Sequence, residues 1–144
     1  MSATKRRIPR DSLTVLIVDD DPDARRMYGE YLRLKGCTVF VAIDGRTGLD
    51  KAQDLIPDAL VLDLAMPRVD GWTVLKHLRE SSWTANIPVI VLSAIVTVRD
   101  EAFYAGCDAY LTKPCPPEVL WLQVAALVRD RAELRTGGGA APQV

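Results

Sequence analysis

The chain has little of what builds metal centres, redox couples or membrane spans. Its 144 residues include one histidine, His77, and three cysteines, Cys37, Cys107 and Cys115, an odd count without CxxC spacing. A Cys/His metal site is thereby excluded. The thiols read as buried or incidental groups in a reducing compartment, which predicts a cytoplasmic protein. No apolar run approaches the roughly 20 residues that cross a bilayer. The basic N-terminus is not followed by the apolar stretch of a signal peptide, so no membrane association is expected. An excess of one charge is also missing. Eighteen Lys and Arg against 19 Asp and Glu leave a formal net charge of -1, which argues against a dominant nucleic-acid surface. The one basic run, KRRIPR at residues 5–10, reads as part of a solvated N-terminal arm. There is no EF-hand loop and no internal repeat.

Apolar residues make up 49% of the chain, enough for one compact domain with a sizeable core. Two kinds of segment alternate. Short apolar runs rich in β-branched residues occupy 14–18 (TVLIV), 37–42 (CTVFVA), 59–64 (ALVLDL), 87–94 (IPVIVLSA) and 109–112 (AYLT). Each is bounded by Asp, Gly or Pro, as strands are. Between them, residues 22–35, 45–56, 73–81, 98–105 and 117–131 carry apolar positions at helical spacing, with Gly36, Pro57 and Gly106 as stop signals. Five strand–helix units imply an α/β fold, a doubly wound parallel five-stranded sheet covered on both faces. Residues 1–12 are expected to form a flexible arm, 13–131 the domain and 132–144 a disordered tail, since RTGGGAAPQV has no periodic apolar face.

In such a sheet, ligands bind beyond the carboxyl ends of the strands. The groups there are Asp19, Asp20 and Asp21 after the first strand, Asp63 after the third, Ser93 after the fourth and Lys113-Pro114 after the fifth. Asp19, Asp20 and Asp63 would place three negative charges together. Each pair at about 4 Å costs roughly 4 kcal/mol at an effective dielectric near 20, and Lys113 offsets only one charge. The set asks for a cation. Hard oxygen donors without Cys or His favour Mg²⁺ or a similar divalent ion. A hydroxyl and an ammonium beside a metal-held carboxylate form a cradle for phosphoryl oxygens, with Asp63 as the nucleophile that becomes an acyl phosphate. Asp21 precedes Pro22 and reads instead as the N-cap of the first helix.

Taken together, VLIVDDDP, PDALVLDLAMPRVDGW, IPVIVLSA and AGCDAYLTKP resemble the receiver domain of two-component response regulators over residues 13–131. The resemblance implies a flavodoxin-like (βα)5 sheet of order 2-1-3-4-5 and a stand-alone phosphorylation switch. In it, Asp63 is the phosphoacceptor, and Asp20 and Asp19 hold Mg²⁺ (or Mn²⁺) directly and through water. The Ala65 carbonyl is a further metal ligand. Ser93 and Lys113 hold the phosphoryl oxygens, Tyr110 is the switch aromatic, and Pro114 occupies a cis-proline position. The implied donor is a histidine kinase or phosphotransfer protein, and the implied output is contact with a downstream target protein, as a monomer or a phosphorylation-linked dimer. The chain would then be no enzyme beyond its own phosphoryl transfer and slow autodephosphorylation.

The sequence departs from the family at several places. Ala65 and Ile95, two residues beyond Asp63 and Ser93, are apolar where polar side chains often orient water, which predicts a long-lived acyl phosphate. The segment from Ser93 to Lys113 is short, which predicts a trimmed fourth helix or leading loop. Cys115 stands where an aromatic often follows Lys-Pro. The switch surface, formed by the fourth helix, fifth strand and fifth helix, is expected to include Phe103, Tyr110 and Leu122. Two other readings use similar parts. A Mg-dependent Asp-nucleophile phosphohydrolase would want a second Asp where Ala65 stands. A flavodoxin-like electron carrier would want a Ser/Thr/Gly-rich loop after the first strand, where DDDPD stands here and would repel a flavin phosphate.

Overall fold

A computed structural model describes residues 12–137. The elements are β1 (Thr14–Val18), α1 (Pro22–Leu34), β2 (Thr38–Ala42), α2 (Gly45–Leu55), β3 (Ala59–Leu62), α3 (Gly71–Glu80), β4 (Val89–Ser93), α4 (Arg99–Ala105), β5 (Ala109–Thr112) and α5 (Pro117–Gly137). The five strands form one sheet in the order β2-β1-β3-β4-β5. Every pairing is parallel, with Val18 opposite Ala42 and Leu62, and Ser93 opposite Thr112.

The period of two along each strand divides its side chains between two cores. Leu16, Val18, Leu60, Leu62, Val89 and Val91 face a core shared with α2, α3 and α4. Val15, Ile17, Ala59, Val61, Ile90 and Leu92 face the core under α1 and α5. With both faces covered, β1, β3 and β4 are buried along their whole length, which is why VLIV and VIVL read as unbroken apolar runs.

Aspartates end three of the strand-to-helix turns by capping the next helix. Asp21 accepts from the Asp23 N–H at 3.0 Å, Asp44 from the Thr47 N–H at 2.8 Å, and Asp70 from the Thr73 N–H at 2.9 Å. Each satisfies a first-turn donor that the helix cannot. The capping role expected of Asp21 is therefore observed. Those of Asp44 and Asp70 were not anticipated.

Two boundaries differ from expectation. The fifth helix, expected to stop at 131, continues to Gly137. Ala132, Glu133, Leu134 and Arg135 are strong helix formers and nothing in them breaks the helix. The expected disorder of the tail is thus corrected for residues 132–137, and residues 138–144 lie outside the described residues. At the other end, Ser12, expected in the arm, donates its hydroxyl to the Gly36 carbonyl at 3.0 Å and belongs to the domain; residues 1–11 lie outside the described residues. The fourth helix is the short one, seven residues, in keeping with the short segment that contains it.

Candidate functional site: an acidic cradle at the carboxyl edge of the sheet

The register of β1, β3 and β5 brings the strand-end groups together. Asp19 follows β1 and is 3% exposed; Asp63 follows β3 and is 7% exposed. Both are held from below by the sheet, the Asp19 N–H donating to the Ala42 carbonyl at 3.1 Å and the Asp63 N–H to the Val18 carbonyl at 3.0 Å. Lys113, at the end of β5, reaches across to both. Its Nζ lies 2.8 Å from Asp19 Oδ2 and 3.3 Å from Asp63 Oδ2. The other Asp19 oxygen accepts from the Asp21 N–H at 2.9 Å, and Asp63 Oδ1 accepts from the Ala65 N–H at 3.0 Å. Each buried carboxylate is therefore clamped in one orientation by one backbone donor and one ammonium.

Asp20 sits exposed at the mouth, and one oxygen from each of Asp19, Asp20 and Asp63 lies within 4.8 Å of the others. Three carboxylates against one ammonium leave two negative charges in the cluster. Burial pushes the Asp19 carboxyl above its ordinary value, Lys113 and the Asp21 N–H pull it back, and the nearby Asp63 charge adds to the rise. At Lys113, burial alone would lower the ammonium, but the bonds and charges of Asp19 and Asp63 outweigh it and push it up. Both groups move up: the ion pair prevails over burial at Lys113, whereas at the more deeply buried Asp19, with one cation beside it, burial prevails over the ion pair. An all-oxygen donor set carrying two excess negative charges fits a hard divalent cation.

Glycine makes this close packing possible at one point. A Cβ on Gly71 would stand 2.4 Å from the Asp63 carbonyl oxygen and 2.5 Å from Leu64 Cα, so the start of α3 can approach the strand-end turn only without a side chain. On the far side, Ser93 is fully buried, and its Oγ accepts from the Ile95 N–H at 3.3 Å. The Ile95 carbonyl in turn accepts from the Tyr110 hydroxyl. The backbone of Ile95 is thus bonded through its N–H to Ser93 and through its carbonyl to Tyr110. The Lys113–Pro114 peptide is cis, as expected. Beside Lys113, a largely apolar cleft of about 760 Å³ runs between α1 and the β5–α5 loop, lined by Ala24, Met27, Tyr28, Pro114, Cys115 and Pro117. Tyr28 donates its hydroxyl to the Cys115 carbonyl at 2.7 Å and ties the two walls together.

The family model for the response regulator receiver domain matches residues 15–125, a span that contains every group of the cradle. The chain belongs to this family. The receiver domain is 42% identical over 117 residues to RpaA of Synechocystis, named as a DNA-binding dual master transcriptional regulator, a match covering 80% of this chain and 48% of that one. It is 42% identical over 124 residues to the transcriptional regulatory protein PrrA of Mycobacterium tuberculosis, covering 85% of this chain and 52% of that one. The chain therefore spans about half the length of the curated relatives it matches. Among solved structures, chemotaxis protein CheY4 of Vibrio cholerae is similar at 30% identity and a TM-score of 0.76, covering 81% of this chain and 98% of that one. The receiver domain of a Francisella response regulator is similar at 33% identity and a TM-score of 0.78, covering 83% and 99%. These findings place the receiver domain among two-component signalling proteins, and its flavodoxin-like architecture agrees with theirs. Nothing in them favours a phosphohydrolase or an electron carrier.

The structure gathers Asp19, Asp20, Asp63, Ala65 and Lys113 at one rim, and buried Ser93, at the end of the neighbouring strand, accepts the Lys113 N–H on its carbonyl at 2.9 Å. The expected partner surface divides. Leu122 is exposed on α5, and Phe103 is partly exposed on α4 with the Arg99 guanidinium 4.7 Å from its ring centroid. Tyr110 is corrected: at 9% exposure it belongs to the core that α4 enters through Ala102, and little of it reaches the outer surface. Its ring belongs to the same core cluster as Ala102, and its hydroxyl donates to the Ile95 carbonyl. Neither Phe103 nor Tyr104 enters the core, because Ala102 alone of α4 is buried. Arg25, whose guanidinium donates to the Asp19 carbonyl at 2.8 Å, was not anticipated; on α1 it reads as one more surface charge.

Proposed function

We propose that the receiver domain accepts a phosphoryl group on Asp63 from the phosphohistidine of a histidine kinase or phosphotransfer protein. The observation that carries this reading is the clamped, buried Asp63 carboxylate, facing two further carboxylates and bonded to Lys113. A carboxylate oxygen of Asp63 attacks phosphorus as the P–N bond breaks, and the imidazole leaves with the electron pair. The product is an acyl phosphate. Lys113 neutralises a phosphoryl oxygen throughout, and Ser93 turns its hydroxyl from the Ile95 N–H to donate to another. A Mg²⁺ or Mn²⁺ ion held by Asp19, Asp20, Asp63 and the Ala65 carbonyl would offset the charge that gathers on the transferring group. The donor approaches over the apolar cleft beside Lys113, which offers a dry docking surface for a protein partner.

Once Ser93 has left the Ile95 N–H, the Ile95 carbonyl no longer holds one fixed position and its bond to Tyr110 shifts with it. The face of α4, β5 and α5, with Phe103 and Leu122 outermost, changes shape, and a downstream protein that prefers one shape shifts the balance. Signalling proceeds through protein contacts in the cytoplasm, not through nucleic-acid contact by these residues, with the domain acting as a monomer or as a phosphorylation-linked dimer.

Incubation with acetyl phosphate and Mg²⁺ tests the chemistry. Intact mass is expected to rise by one phosphoryl group in the wild type and not in Asp63→Asn. A gain that persists in Asp63→Asn, or none in the wild type, refutes the assignment.

A further inference from the structure

Arg79, on α3, sends four donated bonds into a single corner of the molecule. Its Nε donates to the Gly106 carbonyl at 2.9 Å. One terminal nitrogen donates to the Ala85 and Ile87 carbonyls at 2.9 and 2.8 Å, and the other to Asp108 Oδ2 at 2.9 Å. The same Asp108 oxygen accepts from the Val89 N–H at 2.8 Å. One planar guanidinium thus joins the end of α4, the approach to β4 and the start of β5. Gly106 closes α4 with φ at 117°, and a Cβ there would lie 2.9 Å from Arg79 Cγ, so glycine serves both the turn and the close approach. The Gly106 and Cys107 N–H groups add bonds of 3.1 and 3.0 Å to the Ala102 carbonyl.

The other end of α4 is held differently. Val98 at the N-cap offers no side-chain acceptor, and Ala102 is the one buried residue of the helix. Asp100 and Glu101 suit the helix dipole but cap no N–H in the way an N-cap side chain does. The preceding loop is bonded through the Ile95 N–H to Ser93 and through the Ile95 carbonyl to Tyr110. Both partners belong to the switch.

We propose that α4 is a lever pinned at its C-terminal end by Arg79 and released at its N-terminal end when Ser93 changes partner. The inference rests on the Ser93 movement described above. Arg79 is here a positioning residue: it touches no phosphoryl group, but it converts a displacement of the loop before α4 into rotation about Gly106. The signal is thereby concentrated on the N-terminal half of α4, around Arg99, and kept from α3 and from the turn at residues 106–108.

Hydrogen exchange of the full chain, with Mg²⁺ and beryllofluoride as the phosphoryl mimic, tests this. In the wild type, amides of residues 95–102 are expected to change in exchange rate by about tenfold or more and those of 106–108 by less than about twofold. In Arg79→Lys, which keeps the charge but loses the fork, the change is expected to spread through 106–108 while Asp63 still takes up phosphoryl from acetyl phosphate. Equal changes at both ends of α4 in the wild type, or an unaltered pattern in Arg79→Lys, overturn the lever and leave the site's chemistry standing. No response to beryllofluoride anywhere, with no phosphoryl uptake, overturns the site assignment and the lever with it. Should Arg79→Lys fail to fold, the wild-type pattern alone decides.

Discussion

Replacing Lys113 with methionine removes the one ammonium that faces both buried carboxylates, at 2.8 Å from Asp19 and 3.3 Å from Asp63. At an effective dielectric of about 20, those separations correspond to gross attractions of about 6 and about 5 kcal/mol. The side chain left behind has no charge, so Asp19 and Asp63, with oxygens no more than 4.8 Å apart, repel by about 3.5 kcal/mol on the same scale. The ammonium's own desolvation cost is recovered, which cancels most of the lost attraction. Breaking a buried pair by removing one partner nets about 3–5 kcal/mol, and the 20% exposure of the Lys113 side chain puts the expectation near the lower end, about 3 kcal/mol. Urea unfolding followed by tryptophan fluorescence, in the presence of a chelator, measures it.

The pH dependence of that loss has a definite sign. Asp19 is already raised above its ordinary 3.8 by burial, and loss of Lys113 raises it further. A carboxyl raised in the folded state costs nothing below its unfolded pKa, where both states are protonated. Its cost grows as pH rises through the folded value. The deficit of Lys113→Met is therefore largest at neutral pH and shrinks on acidification. Added Mg²⁺ should recover more stability in the variant than in the wild type, because a cation bound only by the folded state stabilises by mass action. A deficit under about 1 kcal/mol at neutral pH, or one that grows on acidification, refutes the electrostatic account of the cradle.

Three further outcomes are expected. Asp21→Ala should cost about 1 kcal/mol in urea unfolding through loss of the α1 cap, yet leave phosphoryl uptake intact; Asp20→Ala should do the reverse and abolish Mg²⁺-dependent uptake. Gly71→Ala forces a Cβ against the Asp63 carbonyl and should cost about 1–3 kcal/mol while slowing phosphorylation, read by denaturation and by mass. The acyl phosphate should persist for minutes or longer and shorten in Ala65→Asn, since apolar Ala65 and Ile95 orient no attacking water; a wild-type lifetime of seconds by mass spectrometry contradicts this.

Much of the cradle was legible because its parts sit where strands end. A buried parallel strand must be an apolar run, and a polar residue that breaks such a run marks the point where the chain leaves the sheet. Asp19, Asp63, Ser93 and Lys113 each stand at such a break, so their convergence followed from counting strands. The caps at Asp44 and Asp70 were equally local, but each resembles any other loop aspartate until the helix behind it is seen. Other features had no linear signature. Arg79 is one basic residue among many on helix surfaces, and its four acceptors come from residues 85, 87, 106 and 108. Tyr110 is one residue of a short strand, and only the assembled core that it shares with β4, α3 and Ala102 of α4 turns a surface candidate into a core side chain.

The order of apolar runs, helical spacing and turn residues alone determined a five-stranded parallel α/β domain with an acidic, metal-seeking edge. Those properties depend on local periodicity and on charge, which travel with the sequence. Tertiary structure alone decided that Lys113 clamps Asp19 and Asp63 together, that Tyr110 points inward, that the Ile95 backbone is bonded to both Ser93 and Tyr110, and that Arg79 gathers four acceptors beside the end of α4. These depend on distances between residues tens of positions apart. Such distances are set by how the helices settle on the two faces of the sheet, and no period in the chain encodes them.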